Sequence, residues 1–318
     1  MFMTDNSPAI EVHELTMAFP GVVAVDRLSF DVKAGEIFGL VGPDGAGKTT
    51  TMRMLAGVLA PSSGSATVAG FAVVHDPEGV KNHISYMSQR FGLYEDLTVD
   101  ENIRFYADVF ALSRTDRESR AATLLEAAGM SPFRKRLAGK LSGGMKQKLG
   151  LVCALIHTPQ VILLDEPTNG VDPVSRRDFW RILYSLLVEK VAILISTSYL
   201  DEAERCHRVA LLHQGRLLFC DTPAELKKNL PGAVVAVVSS EPRRLRDFLT
   251  GSEGVSDMVL VGDGLHLMVD DAAKRVPDLR MRIQSANLPF DRIEEVAPTI
   301  EDLFVQSVGS GSAGVESE

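Results

Sequence analysis

The sequence predicts an α/β fold, a mainly parallel sheet with helices on both faces, followed by a smaller α+β domain. Three observations carry that expectation. The apolar run Ile37-Phe38-Gly39-Leu40-Val41 enters a glycine-rich turn, Gly42-Pro43-Asp44-Gly45-Ala46-Gly47-Lys48-Thr49, and a helix-compatible run from Thr50 to Leu59 leaves it. Strand and helix patterns alternate between Val161 and Cys206, as parallel strands joined by crossover helices do. The pattern then changes at Lys227-Lys228-Asn229-Leu230-Pro231-Gly232, which places a domain boundary near residue 231.

Residues 9 to 41 read as short strands, Ile10 to Phe19, Val22 to Val32 and Glu36 to Val41, punctuated by Pro20-Gly21 and Ala34-Gly35. Ser65 to Val68 is a further strand pattern. Residues 77 to 83 read as helix and Ile84 to Ser88 as a buried strand. Leu97-Thr98-Val99-Asp100 is a helix start, and the helical pattern runs from Val99 to Met130. From Ser142 an amphipathic helix puts Met145, Leu149, Val152, Cys153 and Ile156 on one face, so residues from about 90 to 158 form a helical subdomain. Strand Val161 to Leu164, helix Pro173 to Val188, strand Val191 to Ile195 and helix Leu200 to Cys206 follow. This makes residues 1–230 one domain. In 231–307, strands at Ala233 to Val238, Asp257 to Val261 and Leu265 to Val269 mix with helices at Pro242 to Leu249, Ala272 to Ala286 and Thr299 to Val305. The Gly/Ser-rich tail, 308–318, reads as disordered.

Composition narrows the function classes. With 318 residues, 45% hydrophobic and 24% charged, the chain reads as an ordinary globular protein of two domains. A net charge of −9 argues against nucleic acid as a partner. Cys153, Cys206 and Cys220 are widely spaced, with no metal-ligand pattern, which fits a reducing compartment. No apolar run approaches the ~18 residues of a membrane span, and the N-terminus lacks a basic start and apolar core. The expected location is cytoplasmic, with any membrane association supplied by a partner.

The chemistry-bearing residues fall in a definite order. Glycines at 42, 45 and 47 let a backbone wrap an anion, and a helix starting near Gly47 adds unpaired N–H groups and a positive dipole end. Lys48 can then reach β- and γ-phosphates, and the Thr49 hydroxyl can hold Mg²⁺. The apolar strand Val161 to Leu164 ends in Asp165-Glu166. Beside a phosphate loop, Asp165 is placed near Mg²⁺ and Glu166 near an attacking water. Leu141-Ser142-Gly143-Gly144-Met145 opens a helix and makes a second anion site. Two such devices do not easily grip one nucleotide from a single chain. A head-to-tail dimer, in which each loop meets the partner's Ser142-Gly143-Gly144, resolves this.

The Gly42–Thr49 loop, Gln89, Ser142-Gly143-Gly144, Asp165-Glu166 and Asp172 occur in the order of ABC-transporter nucleotide-binding domains, which residues 9 to 228 resemble. The resemblance implies a P-loop NTPase fold that binds ATP and Mg²⁺. The variants Val41-Gly42-Pro43-Asp44-Gly45 and Ser196-Thr197-Ser198-Tyr199-Leu200-Asp201-Glu202 look closest to the first ATPase half of YbhF-type multidrug exporters. Residues 233 to 306 resemble the small C-terminal domain of ABC-2-type export ATPases. By that resemblance Phe19 stacks on adenine and the loop residues Gly42 to Thr50, with Pro43, Asp44 and Ala46, hold nucleotide. Thr49, Gln89 and Asp165 serve the metal, and Glu166, Gln89 and position 198 serve catalysis. Ser142, Gly143, Gly144 and Met145 act across the dimer, and Asp172 communicates there. A core position for Phe19 and a helix cap for Asp172 are the plain rivals. The loop from Arg90 to Asp96 would lie near a permease.

One departure stands out. The family usually has histidine after Ser-Thr at the strand end, and this chain has Ser198. Losing one preorganised donor at a transition state commonly costs about 10²–10³ in rate. Two functions are therefore expected. The first is an ATPase subunit that powers export through a separate ABC-2-type membrane permease, working as a dimer with a second ATP-binding domain and peripheral on the inner face of the cell membrane. The alternative is a nucleotide-gated clamp with a slow site, paired with a more active ATPase half.

Overall fold

A computed structural model describes residues 7–89, 92–262 and 264–312. Contacts divide the chain into two units, Met1–Cys220 and Asp221–Glu318.

The first unit opens with β1 (Ile10–Phe19) and β2 (Val22–Val32), an antiparallel pair broken by register shifts. β3 (Ile37–Val41) is wholly buried and runs into α1 (Lys48–Leu55). β4 (Ser63–Val68) and β5 (Phe71–Ala72) complete a four-stranded sheet in the order β2-β1-β4-β5. α2 (Pro77–His83) is capped by Asp76, carries Pro at its first position, and leads into β6 (Ile84–Met87).

The helical run expected from Val99 to Met130 is two helices, α3 (Val99–Val109) and α4 (Arg114–Ala127). The break has a local cause. Ala111 adopts a left-handed φ of 52°, and Ser113 then caps a new helix by accepting from the Asp116 amide. At the start of α3, Thr98 and Glu101 form a complete capping box. α5 (Gly143–Leu155) packs on both α3 and α4, which builds the helical layer.

β7 (Val161–Asp165), α6 (Pro173–Leu186), β8 (Ala192–Thr197), α7 (Leu200–Ala203), β9 (Arg208–His213) and β10 (Arg216–Asp221) finish the unit. The six-stranded sheet has the order β10-β9-β3-β8-β7-β6, and β9, β3, β8, β7 and β6 pair in parallel. β3, β7 and β8 are fully buried, which explains their unbroken apolar character. Each buried Leu or Ile there contributes about 1.5–3 kcal/mol. β9 and β10 were not expected from the sequence. Their connection, Gln214-Gly215, has positive φ at both residues, the geometry of a tight hairpin.

The second unit contains α8 (Pro223–Lys228), β11 (Ala233–Val238), α9 (Pro242–Leu249), β12 (Val255–Val261), β13 (Gly264–Val269), α10 (Ala272–Ser285), β14 (Arg292–Val296) and α11 (Ile300–Ser312). Its sheet is antiparallel where β11 meets β13 and β14 and where β12 meets β13, in the order β12-β13-β11-β14. It buries Val235, Val237, Leu265 and Leu267 beneath Leu245, Leu249, Leu279 and Ile283. The unit begins at Asp221 rather than near 231 because α8 packs on α11. The sequence pattern does not mark β14, because its charged sequence, Arg-Ile-Glu-Glu-Val, alternates only weakly.

The tail expected to be disordered from 308 is helical as far as Ser312, and residues 313–318 lie outside the described residues, as do Arg90 and Phe91 of the loop expected to lie near a permease. Among the described residues no helix is long and apolar enough to cross a membrane.

Candidate nucleotide site

The sheet register assembles the site. Val41, the last residue of β3, pairs with Thr197 of β8 and Leu211 of β9, so the chain leaves the sheet between two parallel neighbours. In parallel α/β sheets that carboxyl edge is where ligands bind. Gly42 N donates to the Thr197 carbonyl at 3.3 Å. The turn then needs left-handed residues, and Gly45 and Gly47 supply φ values of 79° and 97°. A Cβ on Gly47 would sit 2.5 Å from the Ala24 carbonyl oxygen, so only glycine fits there.

α1 begins at Lys48 with no side chain capping its first amides. By contrast, Thr98, Ser142 and Asp172 cap α3, α5 and α6. The uncapped amides and the positive dipole end make the turn an anion cradle. Lys48 is buried, and its Nζ donates to the Gly42 carbonyl at 2.8 Å and the Pro43 carbonyl at 3.0 Å. The same ammonium lies 3.0 Å from Glu166 Oε1. The loop from Asp44 to Thr50 encloses a cleft of about 470 Å³ together with Ala24, Gln89 and Glu166.

Two carboxylates close the other side. Asp165, fully buried at the end of β7, accepts from Thr49 Oγ1 at 3.0 Å and Ser196 Oγ at 2.7 Å. The Tyr86 hydroxyl donates to its other oxygen at 3.4 Å. Burial, reinforced by the Asp165 charge, pushes the Tyr86 phenol up to about 12, so it remains a donor at neutral pH. Glu166 takes a left-handed φ of 48° just past the strand, which turns its side chain back over the loop. Its amide donates to the Ser196 carbonyl at 3.1 Å and the Ser196 hydroxyl at 3.0 Å. Its Oε2 accepts from Gln89 Nε2 at 3.3 Å and Asn169 Nδ2 at 3.2 Å.

Thr49 and Asp165 thus present hard oxygen donors within 3.0 Å of each other at the mouth of the anion cradle. Mg²⁺ is usually held by one or two such groups plus phosphate oxygens, so this donor set fits it.

Other residues singled out from the sequence lie elsewhere. Phe19 is 42% exposed at the β1–β2 hairpin, so it is not a core residue. Ser142 and Gly143 are exposed and do not line the cleft. Ser142 caps α5 by accepting from Met145 N at 3.3 Å. Gly144 is buried, and a Cβ on it would meet Ser175 Oγ at 2.4 Å and Asp172 Oδ2 at 3.4 Å. Asp172 caps α6 through the Val174 and Ser175 amides, at 3.1 and 2.9 Å. Hydrogen bonds from Ser175 hold its carboxyl below the ordinary range. The Ser142–Met145 turn and Asp172 therefore form a second cluster, joined through Gly144.

Ser198 is half-buried just past β8, and it is its neighbours that bond to the carboxylates. Ser196 Oγ donates to the Asp165 carboxylate and accepts from the Glu166 backbone amide, while Thr197 Oγ1 donates to the Glu202 carboxylate at 2.8 Å. Sequence reading missed Ser196, Asn169 and Glu202. The polar pair Ser196-Thr197 ending the apolar run Ala192 to Ile195 was the available signal for the first. Nothing local marked the other two.

Comparison with known proteins places these features in context. Residues 25–169 match a family model described as ABC transporter. The chain is 44% identical over 308 residues to the probable multidrug ABC transporter ATP-binding protein YbhF of Escherichia coli strain K12, covering 96% of this chain and 53% of that protein. It therefore spans about half the length of that relative. It is 34% identical over 293 residues to the doxorubicin resistance ATP-binding protein DrrA of Mycobacterium tuberculosis, covering 86% and 87% of the two chains. Among solved structures, an ATP-binding subunit of an ABC transporter superposes with a TM-score of 0.64 at 30% identity, over 69% of this chain and 92% of that one.

Proposed function

This chain belongs to the ABC transporter family, and from that premise we propose that it is an ATP-binding and hydrolysing subunit that powers export through a separate ABC-2-type membrane permease. The observation that carries the reading is Lys48. A buried ammonium inside a left-handed glycine turn, at the uncapped start of α1, faces Glu166 across 3.0 Å. A triphosphate entering the cradle competes with Glu166 for that cation, so binding and release of the base are linked events.

In this reading Lys48 and amides of the Gly42–Thr50 loop hold the phosphates, and Thr49, Asp165 and Gln89 would hold Mg²⁺, which would supply neutralising charge to the phosphate oxygens. Glu166, released from Lys48, accepts the proton of an attacking water that Gln89 helps to orient. Ser196 keeps Asp165 and the Glu166 backbone fixed during that transfer. Phe19, exposed at its hairpin, stacks on adenine. Exposed Ser142 and Gly143, with Gly144 and Met145, reach the nucleotide of a second ATP-binding domain, and Asp172 carries the signal between sites. The partners are thus that second domain and the permease, which holds this chain at the inner face of the cell membrane. The unit from Asp221 onward is the small appended domain of ABC-2-type ATPases.

The test is ATPase activity with and without the membrane partner, wild type against Glu166→Gln. Turnover in Glu166→Gln close to wild type would remove the general-base assignment. Ser198 favours a second reading, a clamp that holds ATP and hydrolyses it slowly beside a more active half. Ser198→His should then raise turnover, and an unchanged rate in an active dimer argues against it.

A further inference from the structure

Glu166 alone does not fix its own carboxylate. Its left-handed backbone sets the direction of the side chain, but the rotamer depends on what meets the two oxygens. One oxygen faces Lys48, a contact that phosphate must displace. The other is shared by Gln89 Nε2 at 3.3 Å and Asn169 Nδ2 at 3.2 Å. Once Lys48 turns to phosphate, these two amides are what remains to aim the carboxylate.

Asn169 is held through both its backbone and its side-chain oxygen. Its backbone amide closes a turn onto the Glu166 carbonyl at 3.2 Å, so the two side chains sit on one tight loop. Its side-chain oxygen accepts from the Tyr199 hydroxyl at 3.4 Å, which fixes the amide orientation with Nδ2 toward the carboxylate. Tyr199 is in turn pinned. Its amide donates to Thr197 Oγ1 at 3.0 Å, and the Arg176 guanidinium lies 4.3 Å from its ring centroid. Beneath both residues, fully buried Glu202 accepts from Thr168 Oγ1 at 2.8 Å and Thr197 Oγ1 at 2.8 Å, binding the residue before Asn169 to the strand end before Tyr199. The Trp180 indole donates to the same carboxylate at 3.2 Å.

We propose that Asn169, braced by Tyr199, is a positioning residue for Glu166, so the segment after β8 serves the base through the Tyr199 side chain while position 198 is serine. The inference rests on Glu166 as the base.

It is tested by steady-state kinetics and crystal structures of Asn169→Ala, Tyr199→Phe and the double variant, with Glu166→Gln as reference. Asn169→Ala should lower kcat about tenfold and Tyr199→Phe about threefold, the scale of one charge-directed hydrogen bond and its support. The KM for ATP should stay within about twofold in both, because neither residue lines the cradle. The double variant should be no slower than Asn169→Ala, since Tyr199 acts through Asn169. The Asn169→Ala crystal structure should show the Glu166 carboxylate moved from its contact with Gln89. Independent, multiplicative losses, or an unmoved carboxylate with unchanged kcat, would overturn the positioning role while leaving the base assignment standing. A Glu166→Gln chain as fast as wild type would overturn both.

Discussion

Gly47→Ala, set against Gly45→Ala, tests the close packing that shapes the cradle. Both glycines have left-handed backbones, with φ of 97° and 79°. An L-residue held in such a conformation costs on the order of 1–3 kcal/mol. Their surroundings differ. A Cβ on Gly45 meets nothing within 4 Å, whereas one on Gly47 lies 2.5 Å from the Ala24 carbonyl oxygen and 3.3 Å from Val25 Cγ2. The first of those contacts is about 0.9 Å inside the 3.4 Å where ordinary contact begins, and its partner is strand backbone that cannot swing aside. Relieving it means shifting the loop from β2, an overpacking cost of about 1–3 kcal/mol added to the strain. For a unit of this size about 1 kcal/mol moves Tm by roughly 2–4 °C. Thermal unfolding should therefore show a drop of roughly 2–12 °C for Gly45→Ala and up to about twice that for Gly47→Ala. ATP affinity, measured by titration calorimetry, should fall further in Gly47→Ala because the Lys48 amide moves with the loop. Equal losses of Tm in the two variants would refute the close approach of loop and strand.

Three further outcomes are expected. Lys48→Ala should abolish the rise in Tm that saturating ATP gives the wild type, and a retained rise would show that other groups hold the phosphates. Ser196→Ala removes a donor to buried Asp165 and one acceptor of the Glu166 amide, so it should destabilise the first unit by about 1–3 kcal/mol in urea unfolding; a loss below a few tenths would deny Ser196 that part. The third concerns acid. Burial raises the Asp302 carboxyl, but hydrogen bonds from His266 and Thr299 outweigh it and hold the group below its ordinary 3.8. A carboxyl depressed on folding adds stability that is present above the unfolded value and lost as pH falls through the folded one. Asp302→Asn should therefore flatten the stability of the second unit below about pH 4, and acid unfolding that tracks wild type would show that the pair adds nothing.

How much of this was legible beforehand follows physical range. The strand–turn–helix around Lys48, the acidic end of β7 and the caps at Thr98 and Ser142 are set by neighbours within a few residues. Spacing, glycine conformation and helix capping are local, so the sequence alone displayed the glycine turn at the start of α1 and the parallel α/β core. Even locally some signals were weak. A left-handed Ala111 splits α3 from α4 with no glycine or proline to announce it, and the charged β14 hides its alternation.

What the tertiary structure decided is which distant residues became neighbours. The pairing of Val41 with Thr197 and of Asp165 with Ser196 comes from sheet register, fixed by ladder hydrogen bonds between segments far apart in sequence. That register delivers Ser196 to the Asp165 carboxylate and the Glu166 backbone amide, and the segment following the same strand brings Tyr199 to Asn169. It thereby places the two residues near position 198, Ser196 and Tyr199, in these contacts. Packing of Gly144 against Ser175 and Asp172 is likewise a matter of two helices meeting. Local spacing named the groups able to hold a phosphate; only long-range pairing determined how Glu166 beside them is held.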